Sequence, residues 1–249
     1  VLVRDDLYLE YATMLNLLQR HQEALDHLLA RKFHPWEGGE GKVAGQYVVA
    51  TTELARQALR FERFEEAANL LQQAQEWPDS LGEGKLPGIH QHNIHYFLGL
   101  ALQGLDRTDE ADHSFARAAS GNLEPTSAMF YNDQPPEMVY YQGLAHRALN
   151  CPTEANNCFQ KLIDYGMAHL EEKVAVDFFA VSLPDFQVLD EDLNRRNQIH
   201  CRFMVALGSL GLEGFDRATE ELEAVLALDR SHLGATILLR DITAPLRVR

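Results

Sequence analysis

Three groups of side chains in this 249-residue sequence have the types and spacing that chemistry would need. Glu37 and Glu40, joined by Glu83 from a second loop, could supply the paired carboxylates of glycosidic chemistry, one acid and one base or nucleophile. Trp36 would then be a stacking platform for a sugar ring, with His34 and Lys42 beside it. The plainer reading of glutamates on glycine-rich turns is solvation, or pairing with Lys42 or Lys85. His90, His92 and His95 fall within six residues, and the last two stand at i, i+3, a spacing zinc sites use on helices. No cysteine or clear carboxylate ligand accompanies them, so polar residues at a helix start are expected there, and no metal. Gly38-Gly39-Glu40-Gly41-Lys42 lacks the preceding strand, the second glycine spacing and the Ser/Thr of a phosphate-binding P-loop, which excludes nucleotide. No cofactor is expected. The thiols of Cys151 and Cys158 read as small buried hydrophobes.

The elements that would carry these residues are set by a repeat. In five segments a small residue is followed 12 positions later by alanine: Ala12 and Ala24, Ala55 and Ala67, Gly99 and Ala111, Gly143 and Ala155, Ala206 and Ala218. Four residues after each alanine stands Leu28, Leu71, Phe115, Phe159 or Leu222, one helical turn along the same face. Three further on come Arg31, Ala74, Ala118, Leu162 and Val225, so the first copy alone breaks the apolar stripe. Turn signals such as Gly104-Leu105-Asp106 and Asn150-Cys151-Pro152 lie between the paired small residues. Each unit reads as helix, tight turn, helix, with Gly or Ala letting two antiparallel helices approach closely.

Leu98-Gly99-Leu100-Ala101 leading to Asp109-Glu110-Ala111, and residues 220–224 running into Val225-Leu226-Ala227-Leu228-Asp229, resemble tetratricopeptide repeats over most of the chain. The fold expected is all-α: a tetratricopeptide-like superhelical solenoid of about five hairpins, forming a single domain over residues 1–249, with a capping helix at about 231–242 stopped by Pro245. A tetratricopeptide unit has about 34 residues. Here successive alanines are 43, 44, 44 and 63 apart, so every junction carries an insertion. The insertions read as residues 31–45, 77–92, 121–136 and 166–192. The last is long enough for an extra helix over about 168–181 before the Ser182-Leu183-Pro184-Asp185 break. All four should emerge along one edge.

These loops are rich in aromatics, unlike an idle linker. Either Trp36, Trp77 and the loop tyrosines fill gaps between hairpins, or they form a contact edge. The edge candidates are His34, Trp36, Glu37, Glu40, Lys42, Trp77, Glu83, Lys85, Tyr131 and Asp133. A second candidate surface is a concave face carrying Tyr47, His95, Tyr140 and Arg202. Gly-Glu-Gly-Lys occurs at 39–42 and again at 82–85, which predicts two similar turns.

The run from Lys32 to Val43, with Tyr131-Asn132-Asp133-Gln134-Pro135-Pro136 and residues 179–186, resembles the C-terminal repeat region of large bacterial proteins. In that family an uncharacterised β-rich domain, similar to galactose-mutarotase-like carbohydrate enzymes, precedes the repeats. The resemblance implies a non-catalytic helical scaffold that docks a carbohydrate-active domain of the same polypeptide, or a partner protein. Alternatively, the inserted loops complete a glycan-binding or glycoside-active site with that domain.

Charge narrows the partners. Lys and Arg total 22 against 37 Asp and Glu, a net charge of −15 that repels phosphate backbones and anionic lipid. Nucleic acid and membrane are thus not expected as partners; a protein, or a carbohydrate, is. Peptide capture through a carboxylate clamp would need a basic cluster that this balance disfavours. Three cysteines without C-x-x-C spacing point to a reducing, cytoplasmic setting. The opening Val1-Leu2-Val3-Arg4-Asp5-Asp6 has no basic n-region and no initiator Met, as expected of a piece of a longer protein.

Overall fold

The computed structural model describes residues 4–36, 38–127, 133–174 and 192–243. Among them the chain is all-α, with eleven α-helices and no strand. In order these are α1 (Asp5–Leu17), α2 (His21–Leu29), α3 (Lys42–Arg60), α4 (Phe64–Ala74), α5 (His92–Gly104), α6 (Thr108–Ala119), α7 (Pro136–Ala148), α8 (Pro152–His169), α9 (Leu193–Gly211), α10 (Phe215–Leu228) and α11 (Leu233–Thr243). A single 3₁₀ turn, Asp79–Leu81, lies between α4 and α5.

Five tight turns join α1 to α2, α3 to α4, α5 to α6, α7 to α8 and α9 to α10, and all five are built alike. Gln19, Glu62, Asp106, Asn150 and Glu213 have φ of +56 to +64°, each seven residues after its repeat's first small residue. The next amide reaches back five residues, as from Arg20 to the Leu15 carbonyl at 2.8 Å and from Gly214 to Ser209 at 2.8 Å. This is the Schellman closure, in which a left-handed residue lets the last carbonyls of one helix be satisfied while the chain reverses. The turn spacing therefore fixes the hairpin register.

Packing follows that register. Of the paired small residues, Ala12, Ala24, Ala55, Ala67, Ala111, Ala155, Ala206 and Ala218 are all buried, as is Gly99 on α5. A Cβ at Gly143 would stand 2.4 Å from the Phe159 ring across the α7–α8 hairpin. Leu28, Leu71, Phe115, Phe159 and Leu222 are buried as the stripe requires. Arg31, the exception in the first repeat, forms an ion pair with Asp5 at 2.5 Å and lies 4.7 Å over the Tyr8 ring. Its charge is satisfied against α1 instead of being placed in a core.

The chain packs as two compact units, one ending at Ser114 and one beginning at Phe115. The first has a core of Leu9, Leu15, Leu25, Leu28, Phe33, Val43, Tyr47 and Leu81, so residues from both of its inserted loops join the helices. The second is centred on Phe159, Leu162, Met204, Leu207, Leu222 and Val225, with Leu238 of α11 completing it. Within each unit consecutive hairpins stack through neighbouring helices, as α2 on α3, α4 on α5 and α8 on α9.

Several boundaries differ from the sequence expectation. Residues 42–45 belong to α3, so the first insertion ends at Gly41. Gly166 is inside α8, which runs on to His169, because a helical glycine there lets the α9 backbone come close; a Cβ would lie 2.5 Å from the Cys201 carbonyl oxygen. The expected extra helix begins within α8 at Ala168, and its remainder from residue 175, like Pro245, lies outside the described residues. The closing helix is α11.

Candidate functional site

In the first unit the two inserted loops meet. The Phe33 amide donates to the Ser80 carbonyl at 2.8 Å, and Phe33 is buried beside Leu81. Gly82 must be glycine here. Its φ is +81°, and a Cβ would stand 2.7 Å from the Phe33 carbonyl oxygen.

Two carboxylates then lock the arrangement. Asp5, at the start of α1, accepts from the Arg31 guanidinium at 2.5 Å and from the His34 amide at 2.9 Å. Burial works to raise the Asp5 carboxyl, yet the hydrogen bonds from His34 and Arg31, with the Arg31 charge, outweigh it and hold it below its ordinary value. Glu83 acts over a separation of 42 residues: one oxygen accepts from the Gly41 amide at 2.8 Å and the other from Ala44 at 3.1 Å. Gly41 is the N-cap of α3 and has no side chain to offer, so the second loop supplies the cap from outside.

The two Gly-Glu-Gly-Lys elements consequently do not form similar turns. Positive φ falls on the second glycine of the first element, Gly41, and on the first glycine of the second, Gly82. Lys42 enters α3, whereas Lys85 donates to the Gln75 carbonyl at 2.9 Å and to the Gln91 side chain at 2.8 Å, tying the end of α4 to the start of α5.

What remains between the loops is a cleft of ≈ 390 Å³ lined by His34, Pro35, Trp36, Gly39, Glu40, Val43, Leu81, Gly82 and Glu83. Trp36 is half-buried and held flat against the turn, since a Cβ at Gly39 would come 2.2 Å from its ring. His34 and Glu40 are exposed at the rim. Of the edge candidates, the structure thus brings His34, Trp36, Glu40 and Glu83 to one place. Lys42 is exposed on the first turn of α3, and Trp77 packs into the core of this unit with its indole N–H buried and unpartnered. Asp133 is half-buried before α7; Glu37 and Tyr131 lie outside the described residues.

The proposed concave-face residues are placed otherwise. Tyr47, His95 and Tyr140 are 4, 6 and 8% exposed. Tyr47 donates its hydroxyl to the Gln73 carbonyl at 3.2 Å, joining α3 to α4, and burial with nearby Glu76 raises its phenol. Arg202 is half-buried and pairs with Glu221 of α10 at 2.8 Å. These side chains brace hairpins; tyrosine and histidine at first-helix positions are large enough to be drawn into the inter-helix space.

A second, smaller cleft of ≈ 200 Å³ lies in the other unit, lined by Ser127, Pro136, Glu137, Arg196, Ile199, His200, Phe203 and His232. Sequence reasoning did not find it, because its residues come from separate helices and a loop with no shared spacing. His200 bonds the Thr126 carbonyl through Nε2 at 2.8 Å, and His232 accepts the Ala235 amide through Nδ1 at 3.1 Å. Burial lowers both imidazoles from their ordinary value, more than the Thr126 bond or Asp229 raises them. Burial likewise raises Glu137. Three titratable groups are thereby biased toward neutrality around Arg196. Among the described residues no set of three His, Cys, Asp or Glu side chains is arranged to hold a metal ion, and no helix is long and apolar enough to cross a membrane.

Hairpins of constant register, closed by Schellman turns and stacked in order within each unit, define a tetratricopeptide-like helical-repeat protein. No protein-family model matches the chain. Among solved structures it is similar to YrrB, described as a TPR protein with an unusual peptide-binding site, at 14% identity and a TM-score of 0.32, over 94% of this chain and 90% of that one. So remote a likeness adds no weight, and the fold rests on the hairpin geometry itself.

Proposed function

We propose that the chain is a non-catalytic interaction scaffold that docks a segment of a partner protein, or of an adjoining domain of its own polypeptide, in the cleft between its first two inserted loops. The observation that carries this reading is the external cap: Glu83 reaches from one loop to the helix that ends the other, so the cleft is held open in one shape before anything binds. A basic segment suits a rim containing Glu40 on a chain of net charge −15. The finer form of the proposal, drawn from the sequence resemblance, is that the docked domain is carbohydrate-active.

Trp36 in the cleft favours one alternative, glycan binding. Paired-carboxylate catalysis is disfavoured, because both oxygens of Glu83 are engaged by backbone amides and Glu83 cannot serve as a free acid or nucleophile. The chain has two tryptophans, so a Trp77→Phe variant leaves Trp36 as the sole indole reporter. Peptides selected from a displayed library against the chain, and a glycan array run beside them, test the reading. Selected peptides should change Trp36 emission and lose about tenfold in affinity, or about 1.4 kcal/mol, in Trp36→Ala. Glycan binding without peptide binding would favour the alternative, and peptide binding insensitive to Trp36→Ala would place the docking site elsewhere on the chain.

A further inference from the structure

Within the second unit α11 is fastened by a histidine. Ala235 and Leu238 are buried in the core, and Gly234 lies against Phe203 of α9, where a Cβ would stand 2.7 Å from the ring. The His232 carbonyl accepts the Thr236 amide at 3.1 Å, which makes His232 the N-cap of α11. Its Nδ1 accepts the Ala235 amide, three residues on, at 3.1 Å. The residues that usually fill this place, Ser, Thr, Asn and Asp, accept through an oxygen that keeps its lone pairs at neutral and mildly acid pH. Imidazole can lose its acceptor there. Nδ1 accepts only while it is unprotonated, so in the capped state the ring is neutral and carries its one proton on Nε2.

The neighbouring imidazole is wired the other way. His200 Nε2 meets the Thr126 carbonyl at 2.8 Å, and a carbonyl only accepts, so Nε2 bears the proton and Nδ1 is the nitrogen that acid would protonate. That addition leaves the Thr126 bond in place. A proton on His232 Nδ1 instead sets one N–H against another, and the cap is lost.

We propose that His232 is an acid-released clasp: a proton taken up at Nδ1 uncaps α11 and loosens it from Phe203 and from α10, while the rest of the second unit stays folded. The groups around the ring set where this happens. Asp229, the C-cap of α10, favours the proton; burial and His200 of α9 oppose it, and burial is the largest of the three. The charge of Arg196, also on α9, bears on His200 in turn. Glu137 of α7 lines the same cleft, its Oε1 3.4 Å from where a Gly234 Cβ would stand, and the Phe203 ring lies 4.5 Å from the imidazole. The capped form therefore holds above the ordinary histidine value of about 6.5 and gives way as pH falls below it. With 11 residues α11 is too short to persist unaided, so the loss of one cap is felt along the helix.

Amide hydrogen exchange, followed by NMR on the 249-residue chain at about pH 7.5 and about pH 5, tests this when expressed as protection factors, which remove the intrinsic pH dependence of exchange. Ala235 and Thr236 should lose protection by about fivefold or more at the lower pH, as expected for a lost cap, and the α8 and α9 amides should lose less. His232→Asn, which caps without titrating, should keep that protection constant even though Glu137 and His200 still titrate, whereas His200→Gln should leave the loss in place. Should His232→Asn not fold, the imidazole nitrogen shifts of the unaltered chain report the same event: His232 should carry its proton on Nε2 at the higher pH, and its titration should track the loss at Ala235. Protection at Ala235 that does not change with pH, an equal loss in His232→Asn, a loss abolished by His200→Gln, or a His232 titration out of step with it would each overturn the proposal.

Discussion

Glu83 shows how one side chain in the lining of a site can also decide its shape. Its carboxylate replaces the cap that Gly41 cannot provide, and Glu83→Ala should cost about 1 kcal/mol of stability, the usual value of a lost N-cap, read as a shift in the urea midpoint. The same variant should weaken any cleft ligand although Glu83 need not touch it. Turn residues give a prediction of opposite sign. Gln19, Glu62 and Glu213 occupy left-handed positions that cost a side-chain-bearing residue energy glycine does not spend. Glu213→Gly should therefore stabilise the chain by about 0.5–1 kcal/mol, less what glycine loses in unfolded-state entropy; a lower unfolding midpoint would contradict the Schellman assignment. Neither role was legible in the sequence. Glutamine and glutamate are not turn signals, and a cap delivered from 42 residues away leaves no local pattern.

Helices were far more readable than loops, because their register repeats. The paired small residues predicted close helix approach within each hairpin, and a Cβ at Gly143 would stand 2.4 Å from the Phe159 ring; between hairpins, two glycines outside those pairs bring backbones together, since a Cβ at Gly166 would meet the Cys201 carbonyl at 2.5 Å and one at Gly208 would meet that of Phe159 at 2.4 Å. Backbone cannot swing aside as a side-chain tip can. Gly208→Ala should accordingly destabilise by about 1–3 kcal/mol through overpacking of α9 against α8, measured by denaturation; a neutral effect would mean that the two helices lie farther apart. Periodicity gave the faces but not their occupants. Tyr47, His95 and Tyr140 sit at first-helix positions as expected, and only packing density decides that they are interior and not part of a binding face. Insert boundaries slipped for a related reason: Gly166 reads as a breaker in sequence and acts as a contact in α8.

For the molecule as a whole, half-buried imidazoles in both units, His27 in the first and His200 and His232 in the second, should make acid destabilising. His200 and His232 have pKa values lowered by burial in the second unit, so their contribution to stability is present above the ordinary histidine value of about 6.5 and is lost as pH falls from there toward their folded values. Glu137, raised, acts in the other sense, contributing below its ordinary value and losing that contribution as pH rises through its folded one. Thermal melts between about pH 8 and 5 should show destabilisation on the acid side, and His200→Gln with His232→Gln should flatten that slope; an unchanged slope would mean these imidazoles are solvated. The −15 charge was legible at once, and the basic segment proposed for the cleft is an expectation drawn from it. Convergence of the first two insertions was an inference from spacing that the Phe33 to Ser80 bond bears out for those two. The decisive experiment is hydrogen exchange on the 249-residue chain with and without a selected peptide. Added protection should be confined to residues 33–44 and 79–84, with the Gly41 and Ala44 amides already slow in the free chain. Fast exchange of those amides, or peptide protection elsewhere with none in these two segments, would refute docking in a cleft preformed by Glu83.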